Sequence, residues 1–489
     1  MALKNITLAF GPWEPDAHSL GGAQSCEVRG VLPAARGWRP LHGVSPLLFP
    51  PLEERALAAF SCREGEAINT LAATHGGIFS LENGAWVKRH SGEALTEARA
   101  FADYGRAVYA LFGPQLFKAG LDAGNLSDFA LVEQAPQAGT MGVVRDFLFL
   151  GALEGEPNAV RWSGLDRPDQ WPEPGSDEAQ HMQADRQLFP TGGRVQAVLG
   201  GLGHADGLVF LESAIERATY VGPPYLFQFD RVERRRGLLA PQSAVDCGGL
   251  CCFLSADGWL ATDGASVKSI GLERVDRWFF EKAEPSRLAE TRGVYDPRQR
   301  VALWSFASPL AAPGLHDCLL IYAPELDRWS FAELSCELLF PDWTRGFTLE
   351  ELDAFGTVDR LGFSSLDAAS LRHGRLAVFA FDAAHRLCSM EGPALEALLE
   401  SAEHGAGRVF LHGFRPHADA PLVESMALFR TRLGEPRRGG PWSRPGREGI
   451  CPQHLSARWM SARLRIPAGQ DWSRASGIEA LVEEEGGNV

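Results

Sequence analysis

Short runs with β-strand character recur from about residue 45 to 392, each closed by a turn signal and none separated by a long helical pattern. THGGIFSLENGAWVKRH sets Ile78 and Phe79 before an Asn83-Gly84 pair and Trp86 after it, and Asn-Gly supplies the positive φ values that a tight hairpin needs. RAVYALFGPQLFKAG repeats the plan, as do CCFLSADGWLATDG around Asp257-Gly258, VALWSFASP, DCLLIYAPELDRWSFAEL and RLAVFAFDAAHRLCSMEG. Hairpin after hairpin without intervening helices argues against a parallel α/β sheet and leaves an antiparallel, closed or stacked β architecture. An all-β propeller explains the length better than a sandwich, because small sheets repeated around an axis extend the core and leave only short edges. At roughly 45 residues per blade, about six to eight blades fit, and no GH…WD signature marks them as a WD-type array.

The flanks differ in texture. Residues 1–44 are rich in Gly and Pro with isolated Trp, as in GPWEPD and LPAARGWRP, and are expected to form an extended arm. Residues 45–392 form the expected propeller. From 393 to 489 GRVFLHGFRP, VESMALFRTR, ARWMSARLRIPA and SGIEALVEEE alternate as strands of a smaller C-terminal β-domain, interrupted by the loop GEPRRGGPWSRPGREG. PALEALLESAEHGAG reads as a short helix by propensity and as an edge strand by its flanks.

Charge and chemistry narrow the function. The 489 residues carry 47 basic and 62 acidic side chains, a formal net charge of −15, so the average surface repels phosphates and a general DNA-binding role is disfavoured. The exception is RVERRRG, where Arg231, Arg234, Arg235 and Arg236 could meet phosphate or an acidic partner; a solvated loop is the plainer reading. Nine cysteines without a CxxC pair point to free thiols in a reducing compartment. Cys247, Cys251 and Cys252 cluster, but adjacent strand residues point to opposite faces, which favours packing over a metal. His404, His412 and His417 are irregularly spaced across an expected strand and favour packing as well.

The N-terminus, MALKNITLAF, lacks the pattern of a signal peptide, and no apolar run is long enough for a membrane-spanning helix. GGLGHADG resembles a dinucleotide loop at Gly201 and Gly203, yet Asp206 stands where a third glycine belongs and GLVFLES continues as a strand. SADGWLATDG departs from the Asp-box of sialidases because Gly258 directly follows Asp257 and Trp259 comes early. Trp162, Trp171, Trp259, Trp304 and Trp329 are expected to anchor blade packing. No catalytic, cofactor-binding or metal-ligating residue is assigned.

The order of VVRDFLFLG, RWSGLDRPDQW, LGGLGHADGLVFLESAIERATYVGPPYLFQFD, LSADGWLATDG, VKSIGLERVDRWFF and LLIYAPELDRWSF resembles the tail nozzle or hub proteins of short-tailed bacteriophages, the packaged-DNA stabilisation family. SARWMSARLRIPAGQDWSRASGIE is similar to the family's closing segment, and the likeness covers most of the chain from about residue 70. The resemblance implies a non-enzymatic virion protein, made in the host cytoplasm, that forms a homo-oligomer, commonly a hexameric ring, below the portal and adaptor. That ring extends the DNA channel, helps retain packaged DNA and passes it without sequence recognition, with no cofactor. Six copies at −15 each would carry a formal −90, which keeps phosphate from condensing on a channel wall. A propeller glycosidase or carbohydrate-binding receptor protein of the phage tail is the alternative.

Overall fold

The computed structural model describes residues 3–17, 24–92, 99–345 and 374–484. Seven small antiparallel sheets follow one another along the chain, six of them ordered from first strand to last as the sequence runs. Blade 1 spans Ala58–Glu64 to Ala85–Ser91, blade 2 Arg99–Tyr104 to Ala130–Leu131, blade 3 Thr140–Val144 to Asp185–Leu188, and blade 4 Val195–Leu202 to Leu226–Glu233. Blade 5 spans Val245–Asp246 to Val267–Ser269 and blade 6 Arg292–Asp296 to Arg328–Cys336. At six of the seven junctions, all but that of blades 4 and 5, the first strands of neighbouring blades lie side by side around the axis. At one such junction a Cβ on Gly142 would stand 2.2 Å from the Val198 carbonyl oxygen, so only glycine permits that approach.

The ring closes across the termini of the propeller. Blade 7 takes Leu338–Trp343, Leu376–Phe381 and Leu387–Ser389 from the end of the propeller sequence, and Ser45–Pro46 from before blade 1 adds its fourth strand. Side chains reinforce the seam: the Thr70 hydroxyl of blade 1 donates to Asp342 of blade 7 at 2.6 Å, and the Ala56 amide donates to Glu337 at 3.0 Å. The expectation of a propeller with a C-terminal β-domain therefore holds, with seven blades.

Each gap between blades holds its own apolar wedge, and the five tryptophans fall into these wedges. Trp171 is buried between blades 2 and 3 and Trp162 between blades 3 and 4, so one motif, RWSGLDRPDQW, fills two neighbouring wedges. Trp259, Trp304 and Trp329 pack together between blades 5 and 6, with Trp259 and Trp304 ring centroids 4.5 Å apart. The indole N–H groups of Trp304 and Trp329 donate to the carbonyls of Ser243 at 2.8 Å and Ile270 at 3.0 Å, which removes the cost of burying them.

The remaining strands form a ten-stranded, nearly closed barrel-like sheet. Its spine is His404–Ala418, Cys451–Ile466 and Ala475–Glu484. Here the expectation of an extended arm is corrected. Leu3–Ala9 pairs along Gly477–Glu483, Glu27–Arg29 pairs with Leu398–Glu400, and Val31–Pro33 pairs with Trp38–Pro40, whose Trp38 meets Ala475. Leu3–Ala9, Glu27–Arg29 and Trp38 are held in the sheet by partners more than 350 residues away in sequence, a pairing no local pattern announces. PALEALLESAEHGAG resolves as strand: Ala397–Glu400 pairs with Arg463–Ile466, and tertiary pairing overrides helix propensity.

The wedge between blades 5 and 6 is continuous with the core of this sheet. Leu254, Trp304 and Phe331 of the propeller belong to one apolar cluster with Phe10, Val28, Leu399 and Leu464 of the sheet. The outer strand of blade 6 is the contact line, where Phe331 accepts a backbone hydrogen bond from Gly30 at 2.9 Å and the Ser330 hydroxyl donates to Val31 at 2.5 Å.

Candidate functional site

Two recesses differ by an order of magnitude in room. One, between blades 6 and 7 near Thr344 and Ser389, has a volume of about 30 Å³, enough for one or two waters. The other, of about 300 Å³, lies between the sheet and the outer side of blades 5 and 6 and is large enough for a small ligand.

Three elements build the larger cleft. The N-terminal segment gives Trp13, the helix Asp276–Lys282 after blade 5 gives Trp278 and Lys282, and the outer strand of blade 6 gives Phe331 and Glu333. The sheet forms the opposite wall with Cys26, Glu27, Arg29, Glu400, Arg437 and Arg463. The aromatic rings brace one another edge to face: Trp278 stands 4.8 Å from both Trp13 and Phe331.

The helix is fixed from two directions. The Asp16 carboxylate accepts from the backbone N–H groups of Arg277 at 2.7 Å and Trp278 at 2.9 Å, satisfying donors that the first turn leaves open. Asp276 turns inward and accepts from the Trp259 N–H at 2.9 Å, in a space that exists because positions 258 and 271 are glycine. Burial pushes the Asp276 carboxyl up to about 6, against the lowering effect of the Trp259 hydrogen bond and with a further rise from nearby Asp16.

Ion pairs fill the sheet wall. Glu400 is almost fully buried and takes Arg463 at 2.6 Å, Arg437, and the Ser461 hydroxyl at 3.1 Å. Arg463 also reaches Glu27 at 2.7 Å, and Arg29 pairs with Glu333 at 3.0 Å. Burial and the Glu400 charge push the Cys26 thiol up to about 11, so it is a poor nucleophile at neutral pH.

Of the cysteines singled out in the sequence, Cys247 and Cys252 stay side by side in one wedge, and the remaining clusters are dispersed. Cys251 and Cys252 point to opposite faces of their strand, Cys251 into the wedge between blades 4 and 5 and Cys252 into the next. The nine cysteines are free thiols. His404, His412 and His417 are spread along one strand: His404 lies opposite Met460 and His417 opposite Gly477, while His412 falls at a register shift and its ring bonds the Glu483 carboxylate at 3.1 Å. Among the described residues no group of three or more His, Cys, Asp or Glu could hold a metal. In RVERRRG, Arg231 pairs with Glu216 at 2.6 Å and Arg236 with Glu233 at 3.0 Å, which leaves the Arg234 and Arg235 side chains exposed. No helix among the described residues is long and apolar enough to cross a membrane.

Sequence reasoning did not find the cleft. Trp13, Trp278, Lys282 and Phe331 share no motif, and Trp13 sits in a segment read as an arm; the one available signal was a large aromatic held between prolines in GPWEPD.

No protein-family model matches the chain, and no curated protein sequence matches it. Among solved structures it is similar to the extracellular domain of a hybrid two-component system protein from B. thetaiotaomicron, at 10% identity and a TM-score of 0.40, covering 83% of this chain and 48% of that one. A second structure of that extracellular domain gives the same identity and TM-score, over 44% of its length. Dihydro-heme d1 dehydrogenase NirN is similar at 12% identity and a TM-score of 0.36, over 73% of this chain and 70% of its own. The chain thus spans less than half the length of the first two structures.

Proposed function

We propose that the chain is a structural subunit of a bacteriophage tail nozzle or hub, assembling as a homo-oligomeric ring, commonly hexameric, below the portal and adaptor. In this role it extends the DNA channel, helps hold the packaged genome and lets it pass on ejection, without catalysis. The observation that supports this reading is where the resembling motifs fall. RWSGLDRPDQW, LSADGWLATDG and LLIYAPELDRWSF are blade-building segments whose tryptophans fill the gaps between blades, so the likeness rests on a frame. A frame welded to its sheet domain suits a part that must keep its shape under internal pressure, and a net charge of −15 disfavours retention of DNA on its wall.

Reconstruction of purified particles, with antibody against the chain, tests the reading. Copies arranged cyclically around the tail axis are expected, with subunit interfaces of at least standard size. Absence of the chain from particles overturns the reading, and clear depolymerisation of host polysaccharide by the pure protein would favour the receptor or glycosidase alternative instead.

A further inference from the structure

We propose that the cleft between sheet and propeller is a binding site for a planar ring carrying one carboxylate, with the ring against Trp278 and the carboxylate at Lys282. The inference goes beyond the proposed function and does not depend on it.

The argument starts from charge. Four cations and three carboxylates line the cleft, a net +1 in a chain of −15. Arg29, Arg437 and Arg463 are each engaged by Glu333, Glu400 or Glu27. Lys282 is the cation left over: among the described residues it has no carboxylate partner, and its ammonium sits 5.6 Å from the Phe331 ring centroid. The ammonium of the half-buried Lys282, held over a ring and beside a cleft of about 300 Å³, is an unfilled electrostatic role, and an incoming anion supplies the missing charge.

Shape gives the rest of the ligand. Trp13 and Phe331 are almost fully buried, whereas Trp278 keeps part of its surface in the cleft, so the wall offers a flat apolar face beside the ammonium. Edge-to-face packing of Trp278 against both neighbours fixes that face before any ligand arrives, which lowers the ordering cost of binding. The occupied arginines opposite limit the site to one anionic group. A doubly charged phosphate would have to break the Arg29–Glu333 or Arg463–Glu27 pair to be neutralised. The same chemistry is offered by a free aromatic acid and by a partner polypeptide that ends in an aromatic residue.

Calorimetric titration of the full chain with 3-phenylpropionate, with the uncharged 3-phenylpropanol, and with two short peptides ending in Phe, one a free acid and one an amide, tests the site. The acid is expected to bind one per chain with a Kd below about 1 mM and at least about tenfold more tightly than the alcohol. Lys282→Gln should abolish that preference, and Lys282→Arg should restore it with an unchanged melting temperature. If the free-acid peptide binds and the small acid also binds, the recess accepts both sources; if only one binds, that one is the source. Equal binding of acid and alcohol, no binding of any carboxylate probe, or a preference that survives Lys282→Gln overturns the proposal. None of these results bears on whether the chain is present in particles.

Discussion

The Arg328 guanidinium lies 4.3 Å from the centroid of the Trp38 ring, a propeller side chain stacked on a strand of the sheet domain. It donates to the carbonyls of Ala34 at 2.7 Å, Gly37 at 3.1 Å and Gly11 at 3.0 Å, so one residue of blade 6 satisfies three backbone acceptors of the N-terminal segment. Burial holds this arginine below its ordinary pKa, and its charge is met by carbonyl dipoles and the ring face. Arg328→Ala should therefore cost about 3 to 5 kcal/mol, because buried acceptors lose their donors and the ring loses its cover. Arg328→Lys, which keeps charge but lacks the planar fork, should cost at least about half as much in denaturant titrations. A loss under about 1 kcal/mol for the alanine variant would show that the two parts do not depend on this contact.

Asp276 predicts a pH dependence. Its folded pKa, about 6, lies above the ordinary 3.8, so the fold binds its proton more tightly than the unfolded chain does. The stability this provides is fully present below about pH 4 and is lost as pH rises through 6, by up to about 3 kcal/mol. Asp276→Asn should therefore be more stable than the parent at pH 8 and lose that advantage at pH 4, as read by melting temperature at the two pH values.

Gly258 and Gly271 separate two reasons for glycine. A Cβ at Gly271 would stand 1.9 Å from the Asp276 carboxylate, and at Gly258 2.2 Å, but only Gly258 also has a positive φ, +124°. Gly271→Ala should destabilise strongly and be rescued by Asp276→Ala, with a coupling of at least about 2 kcal/mol in a double-mutant cycle. Gly258→Ala should be rescued only in part, since its backbone strain remains.

The thiols should be quiet. Cys26 and Cys247 are half-buried and the other seven cysteines are buried. Burial pushes Cys62, Cys318, Cys336 and Cys388 up to about 12, and Cys26 to about 11. At pH 8 alkylation of the native chain should be about a hundredfold slower than that of a free thiol, begin at Cys26, and reach the rest only on unfolding, Cys247 included because the neighbouring Cys252 thiol and burial push its own thiol further up, as peptide mass spectrometry would record.

Local signals made the blades legible. Asn83 and Gly84 adopt φ values of 47° and 79°, as the Asn-Gly pair predicted, and the turn needs nothing beyond its own residues. The hairpin at Asp257-Gly258 was displaced by one position: Gly258 pairs with Ser255, so Ala256 and Asp257 form the turn. Its glycine serves the distant Asp276, which no local rule could reveal. The same limit hid the N-terminal strands, since Ile6 pairs with Ala480, and the cleft, whose ring cluster joins residues 13, 278 and 331. Turn chemistry is written in neighbouring residues, whereas long-range pairing and interdomain recesses are written only in the folded chain.

Hydrogen-exchange mass spectrometry across a guanidinium titration tests most directly whether propeller and sheet are one body. The shared core of Trp304, Phe331, Leu399 and Leu464 predicts that blade 6 and the strand Cys451–Ile466 lose protection together, at one denaturant concentration. Loss of protection in the sheet at a clearly lower concentration, with blade 6 still protected, would contradict it.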